Sequence, residues 1–181
     1  MQQKHEIDRK VFFGEGIAII GDSLFQLTYK NRKGFVFNLH TMKKMGEFNF
    51  YNQEGWGLTT DGQSLIMTDG TSNITYMDPK TYKAFKVIPV TDNGNHIVNL
   101  NELEYIDGWL FANVYGTNYI VKINPENGAV VGKLDLNALA KKAKDEYPKA
   151  LEMNGIAYKA ETKSMYITGK MWPRIFEIKI N

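Results

Sequence analysis

The chain contains no cysteine, which excludes disulfides, thiolate metal sites and a cysteine nucleophile. Histidine is scarce. His5, His40 and His96 lie far apart without ligand-like spacing, so they read as surface or turn residues and no metal site is expected. No run approaches the roughly 18 apolar residues of a membrane-spanning helix. The opening MQQKHEIDRK is polar throughout, unlike a signal peptide. Neither sign of charge dominates: 22 basic and 20 acidic residues leave a formal net charge of +2. Electrostatics therefore gives no reason to expect nucleic acid or a membrane surface as partner.

Aromatic residues are what the chain has in quantity, with ten Tyr, ten Phe and three Trp among 181 residues. Such a load favours strands and can line a pocket. The length suits one domain with a real core.

Self-similarity organises that length. GEGIAIIGDSLFQLTY, GWGLTTDGQSLIMTDG, LNELEYIDGWLFANVY and MNGIAYKAETKSMYITGK share one pattern: an apolar strand, a polar turn and a second strand. Third strands follow in GFVFNLHT, NITYMDPKT, YIVKINPENG and RIFEIKI, two of them running into Asp78-Pro79 or Asn124-Pro125 turns. KAFKVIPV and AVVGKLDL read as fourth strands. The anchors Leu24, Leu65, Leu110 and Met165 are spaced by 41, 45 and 55 residues. The last interval is stretched by LNALAKKAKDEYPKAL, which reads as a short amphipathic helix capped by Asp135. Four strands per repeat of about 40 to 50 residues predicts an all-β fold, a β-propeller with about four four-stranded blades and one helical insertion. The repeats run approximately over 12–54, 55–99, 100–152 and 153–181 of a single domain. A β-sandwich also holds many short strands, but it does not require the register to repeat so closely.

The register nominates a site. Nine residues before the anchors stand Glu15, Trp56 and Asn101, and Asn154 takes that place in the longer fourth turn. Five residues after them stand Tyr29, Gly70, Tyr115 and Lys170. Each early position is symmetric with a late one about its turn, which predicts cross-strand neighbours. Because first strands surround a propeller's axis, all eight are expected at one mouth of the channel. One acid, one cation, amides and aromatic rings suit a small-molecule or peptide-end site. The alternative is that Glu15 and Lys170 form an ion pair that closes the channel. Glu54 is expected nearer the rim, Glu104 in a structural channel position, and Asp61 and Asp69 in turns and strand ends.

FGEGI, FQLTY, EGWGLTTDG, LIMTDGT, LNELEYIDG, FANVYGTNYI, MNGIAY and ITGKMWPRIFEIKI closely resemble the glutamine cyclotransferase family, from about Phe12 to Ile180. The resemblance implies a five-bladed propeller that converts N-terminal glutamine of peptides or proteins to pyroglutamate, releasing ammonia without metal or other cofactor. It implies that Glu15 is the catalytic carboxylate, with Asn101 and Lys170 beside it. Phe13, Tyr29, Trp56, Tyr115 and Asn154 would bind the substrate; the family usually has Trp where Tyr29 and Tyr115 stand.

A full family member has another blade before FGEG. HEIDRKVFF reads as the end of that blade's outer strand, so the chain carries four repeats and lacks most of the first. Impaired activity of this chain alone and self-association through an open propeller edge are expected. By family analogy the location is periplasmic or secreted. Two other classes compete: a non-catalytic propeller that binds a peptide or protein, and a metal-dependent propeller hydrolase. Trp56 and Lys170 in the ring speak against the second of these.

Overall fold

Alternating apolar residues and turn-forming Asn, Asp and Gly fold the chain into successive antiparallel meanders. The structure is a computed structural model and describes residues 6–180, so His5 lies outside the described residues. The first sheet has the order β1 (Gly14–Ile20), β2 (Ser23–Thr28), β3 (Lys33–Asn38), β4 (Lys44–Asn49). The second is β5 (Leu58–Thr60), β6 (Leu65–Thr68), β7 (Asn73–Met77), β8 (Ala84–Pro89), followed by a small hairpin of β9 (Thr91–Asp92) and β10 (Asn95–His96). The third is β11 (Leu100–Ile106), β12 (Trp109–Val114), β13 (Tyr119–Ile123), β14 (Val130–Asp135). After α1 (Asn137–Glu146) comes the fourth, β15 (Met153–Lys159), β16 (Ser164–Gly169), β17 (Phe176–Lys179). The architecture is a four-blade, β-propeller-like arrangement with one helix.

Each junction between neighbouring blades encloses its own apolar cluster. Phe25, Leu27, Phe48, Leu58, Leu65 and Met67 fill the first. Ile66, Ile88, Leu100, Leu103, Leu110 and Val121 fill the second. Ile106, Ile120, Met153, Met165 and Ile167 fill the third. The repeat anchors face backwards, toward the preceding blade: Leu65, Leu110 and Met165 are fully buried there. Leu24 has no blade on that side among the described residues and stays half-buried. The inner strands meet in succession, β1 with β5, β5 with β11 and β11 with β15, while β15 and β1 share no comparable contact.

Four sequence expectations are corrected. The last blade has three strands, β15, β16 and β17, where four were expected. HEIDRKVFF does not supply an outer strand among its described residues: the Asp8 carbonyl accepts from Val11 N–H (3.1 Å) and Phe12 N–H (2.8 Å), and its carboxylate from Lys10 N–H (3.0 Å), which folds the segment into a turn. Asp135 stands one residue before the helix cap, Leu136, and its carboxylate accepts the Asn137 N–H at 2.9 Å. The β9–β10 hairpin was not expected, although its Asn93-Gly94 corner, with φ of 48° and 82°, is a strong hairpin signal.

The turn between third and fourth strands has one construction in three blades. Asn38, Asp78 and Asn124 each accept backbone N–H groups two or three residues ahead, at 2.7–3.1 Å. Proline accompanies the second and third, so the first escaped a reading that relied on it.

The blades meet so closely at the axis that some glycines are obligatory. A Cβ on Gly57 would lie 2.2 Å from the Asn101 carbonyl oxygen, whereas one on Gly46 would meet nothing within 4 Å. Gly57→Ala is expected to lose about 1–3 kcal/mol in urea denaturation. Gly46→Ala is expected to be neutral or stabilising by up to about 1 kcal/mol.

Candidate active site

The same irregularity recurs where the inner strands begin. In the first blade the ladder runs Gly14 with Thr28 and resumes at Ile17 with Gln26; in the third, Leu100 with Val114 and then Leu103 with Ala112; in the fourth, Met153 with Gly169 and then Ile156 with Ile167. Two residues of the inner strand therefore oppose one of the second: Glu15-Gly16, Asn101-Glu102 and Asn154-Gly155. In the second blade Trp56-Gly57 opposes Thr68, whose carbonyl accepts the Trp56 N–H (3.0 Å) and whose N–H reaches the Gly57 carbonyl (3.1 Å). A bulge bends its strand and re-aims a side chain. Here each one holds a residue of the candidate ring.

The bulge also corrects the expected cross-strand pairs. A turn centred on Asp22 puts Glu15 opposite Tyr29, but the ladder is centred between Gly21 and Asp22 and the bulge adds one residue more, so the Tyr29 N–H donates to the Phe13 carbonyl (2.9 Å). Likewise Tyr115 N–H donates to Asn99 (2.8 Å) and Lys170 N–H to Glu152 (2.9 Å). The extra residue displaces the pairing while leaving both side chains at the same mouth.

All eight nominated site residues, Phe13, Glu15, Tyr29, Trp56, Asn101, Tyr115, Asn154 and Lys170, line one cavity of about 330 Å³. Gly70 is the register position that does not. It lies behind the Trp56 indole, which a Cβ there would approach to 2.7 Å, and its φ of +80° suits glycine.

The ring fixes its aromatic wall by polar contacts. Trp56 Nε1–H donates to Glu54 Oε2 at 2.8 Å, and Lys30 Nζ stands 3.8 Å from Glu54 Oε1. Trp56 meets Tyr115 edge-on, with centroids 5.8 Å apart, and Lys170 Nζ lies over the Tyr115 ring at 4.9 Å. Glu54 thus holds the indole, a role its place two residues before Trp56 did not reveal.

Glu15 makes no ion pair with Lys170, so the closed-channel alternative does not describe this structure. Burial pushes the Glu15 carboxyl up to about 6; the Lys170 charge pulls it down and Glu54 adds to the rise. Two neighbours share the low dielectric. Glu102 is pushed up to about 7, by burial first and then by the charges of Glu15 and Glu104, against the pull of Lys170. Glu104 is raised by burial although it accepts the Tyr158 N–H (3.0 Å) and the Thr59 hydroxyl (3.2 Å). The latter carboxylate ties three inner strands together, the structural place expected of it.

Glu102 flanks Leu103 with Glu104, and sequence reasoning set it aside by giving the channel position to Glu104. The second bulge residue is glycine in the other blades (Gly16, Gly57, Gly155), and aligning that position would have singled Glu102 out. Asn101 and Asn154 each carry a buried Oδ1 with no hydrogen-bond partner among the described residues. Buried acceptors left open at a cavity wall suit a ligand that brings N–H donors. Asp61 and Asp69 accept backbone N–H groups in turns, as expected. His40 contacts Asp22 at 3.0 Å and His96 contacts Ser72 at 3.3 Å, both at the surface. Among the described residues no three His, Asp or Glu are grouped to hold a metal ion.

Comparison with known proteins places this chain among relatives. Residues 1–180 match the family described as glutamine cyclotransferase. A glutaminyl-peptide cyclotransferase of Arabidopsis thaliana is 36% identical over 170 residues, 93% of this chain and 53% of that protein, so the chain spans about half the length of this curated relative. The crystal structure of Myxococcus xanthus glutaminyl cyclase superposes with a TM-score of 0.85 at 31% identity, covering 92% of this chain and 72% of that one. The WD40 β-propeller domain of Doa1, at 10% identity and a TM-score of 0.57 over 86% of this chain and 47% of that one, shares the fold alone.

A carboxyl whose pKa is raised by folding binds its proton more tightly in the native state, so it weakens the fold as pH rises from its unfolded value toward the folded one. For Glu102 that window runs from about pH 4.5 to about 7. Glu102→Gln is therefore expected to be more stable than wild type at pH 8, by on the order of 2 kcal/mol. The difference should vanish at pH 4, as urea titrations at the two pH values will show.

Proposed function

Because the chain belongs to the glutamine cyclotransferase family, we propose that its cavity closes N-terminal glutamine into pyroglutamate, with release of ammonia, as a glutaminyl-peptide cyclotransferase. The observation that carries this reading is a half-buried carboxyl, Glu15, held near neutrality and facing an unpaired-with-it lysine across a cavity to which every blade contributes.

The reaction needs little beyond orientation and proton movement. The substrate's α-amine, with a pKa near 7.7–8, is partly neutral at physiological pH. Its nitrogen attacks the side-chain amide carbon, forming a five-membered ring with a tetrahedral centre. Glu15 takes a proton from the attacking nitrogen. It returns that proton to the amide nitrogen as the carbon–nitrogen bond breaks, so the leaving group departs as ammonia. A base with a pKa near 6 is suited to both steps, being mostly ionised at pH 7 yet able to hold the proton. The Lys170 ammonium and the Asn101 side-chain N–H group supply hydrogen bonds to the oxygen that gains charge. The open Oδ1 atoms of Asn101 and Asn154 accept N–H donors of the folded-back substrate. Phe13, Tyr29, Trp56 and Tyr115 wall the cavity and select the conformer in which amine and amide already touch. Relative to tryptophan, Tyr29 and Tyr115 keep a ring and add a hydroxyl.

A second reading, a non-catalytic module that binds a peptide or protein, draws on the unclosed ring. Phe13 remains 66% exposed, and β1 and β15 do not meet as the other inner strands do. For the same reason turnover by this chain alone is expected to be below that of a closed ring. The exposed Val11, Phe13, Ile17 and Ile19 on the first blade favour self-association.

Ammonia release from a Gln-Xaa peptide tests the catalytic reading. Glu15→Gln should lower kcat by roughly 100- to 10,000-fold, and wild-type kcat/KM should rise with pH through an ionisation near 6 and another from the substrate amine. Turnover unaffected by Glu15→Gln removes the assignment, and peptide binding without turnover favours the binding module. Light scattering over a concentration series should show species larger than the monomer; a monomer throughout contradicts self-association.

A further inference from the structure

The junctions between blades are built from the same two backbone groups, and one of them contains a hydroxyl. Between the first two blades, the Gly16 N–H donates directly to the Trp56 carbonyl at 2.8 Å. The corresponding groups one blade further on are the Gly57 N–H and the Asn101 carbonyl. They do not bond each other. The Thr68 hydroxyl stands between them, accepting the Gly57 N–H at 2.9 Å and donating to the Asn101 carbonyl at 2.7 Å.

A hydroxyl has a single proton to give. Thr68 is fully buried, and that proton is committed to the carbonyl of the residue that shapes the cavity wall. The equivalent second-strand positions are Leu27, Asn113 and Thr168. Leu27 has no polar group, and its junction uses the direct backbone bond. Asn113, also fully buried, reaches forward instead, its Oδ1 accepting the Gly155 N–H of the last blade at 3.1 Å. So the two junctions flanking Asn101 and Asn154 are both stitched by a buried side chain, and only Thr68 links its own bulge to the next one.

Asn101 is tightly confined as a result. Its carbonyl is pinned by Thr68, the missing Cβ of Gly57 lets that carbonyl approach, and the bulge turns its side chain to the cavity, where Oδ1 is buried and open. We propose that Thr68 is a positioning residue for the cyclisation: its hydroxyl bridges the Gly57 and Asn101 bulges and thereby fixes where the Asn101 amide stands against the reacting carbonyl. This rests on the cyclotransferase reading, in which Asn101 stabilises the charge that develops on that oxygen. Such a residue acts on the transition state more than on ground-state binding, because the misplaced group is one whose contact strengthens as the charge appears.

The test compares Thr68→Val, which keeps the shape and removes the hydroxyl, with Thr68→Ser, which keeps the hydroxyl, using the whole chain. The proposal expects Thr68→Val to lose roughly 10- to 100-fold in kcat per folded molecule, with KM within about twofold of wild type. Thr68→Ser should recover kcat to within about twofold. Hydrogen exchange at the Gly57 amide should accelerate in the valine variant and stay slow in the serine variant. Wild-type kcat in Thr68→Val, a serine variant as defective as the valine one, or an equally protected Gly57 amide in Thr68→Val would each overturn it. The functional reading fails separately, if wild type and Glu15→Gln alike release no ammonia. In that event the Gly57 exchange rates and the Asn101 side-chain amide resonances still decide whether the hydroxyl holds the junction.

Discussion

The inner strands of neighbouring blades come together until backbone meets backbone, and the placement of the site depends on that approach. A Cβ on Gly16 would lie 2.4 Å from the Leu58 nitrogen, and one on Gly57 2.2 Å from the Asn101 carbonyl oxygen. Where strands are this close, a regular ladder would direct alternate side chains into the neighbouring blade. The bulges relieve this by giving two residues to one partner: the first projects a side chain to the cavity and the second, usually glycine, lets the next blade in. Glu15, Trp56, Asn101 and Asn154 are one structural solution used once per blade. Their chemistry differs while their backbone setting does not.

That geometry also sets the electrostatics. Closing the strands around the axis buries Glu15, Glu102 and Glu104 near one another, with Lys170 the cation acting on the first two. Three ionised carboxylates at such depth would be costly, and the structure answers by raising each of them. Glu104 is held by two hydrogen bonds and serves the fold. Glu15 faces the cavity and remains available to exchange a proton. Glu102, the one side chain at a position otherwise given to glycine, is pushed up to about 7 by burial and by the charges of Glu15 and Glu104, so below that pH its proton spares the neighbourhood of Glu15 a further negative charge.

Much of this was legible in the sequence because propeller repeats write their register in large apolar residues. Leu65, Leu110 and Met165 are fully buried, so their spacing could locate Trp56, Asn101 and Asn154 before any coordinates. Phe13 as a site residue and the expectation that Glu15 is the reacting carboxylate came from family resemblance, not from spacing. What was not legible has physical causes. A bulge leaves no mark in apolar periodicity, and the hairpin turns between Gly21 and Asp22 and not on Asp22 itself, so the pairing of Glu15 with Tyr29 was set two residues wrong. Thr68 and Asn113 look like ordinary strand residues until the next blade supplies the groups they bond. The three-stranded last blade overturned a strand inferred from symmetry with complete repeats, and the turn at Asp8 one inferred from the family resemblance.

Burial in the ring pushes the Glu15 carboxyl up to about 6, within reach of neutral pH. The most direct test is a carbon NMR titration of the glutamate side-chain carboxyls in wild type and in Glu15→Gln. One resonance should titrate near pH 6 and be absent from the variant, and the resonance near 7 should move down once the Glu15 charge is removed. A wild-type spectrum in which Glu15 titrates with the ordinary carboxylates, near 4.3, would contradict the account.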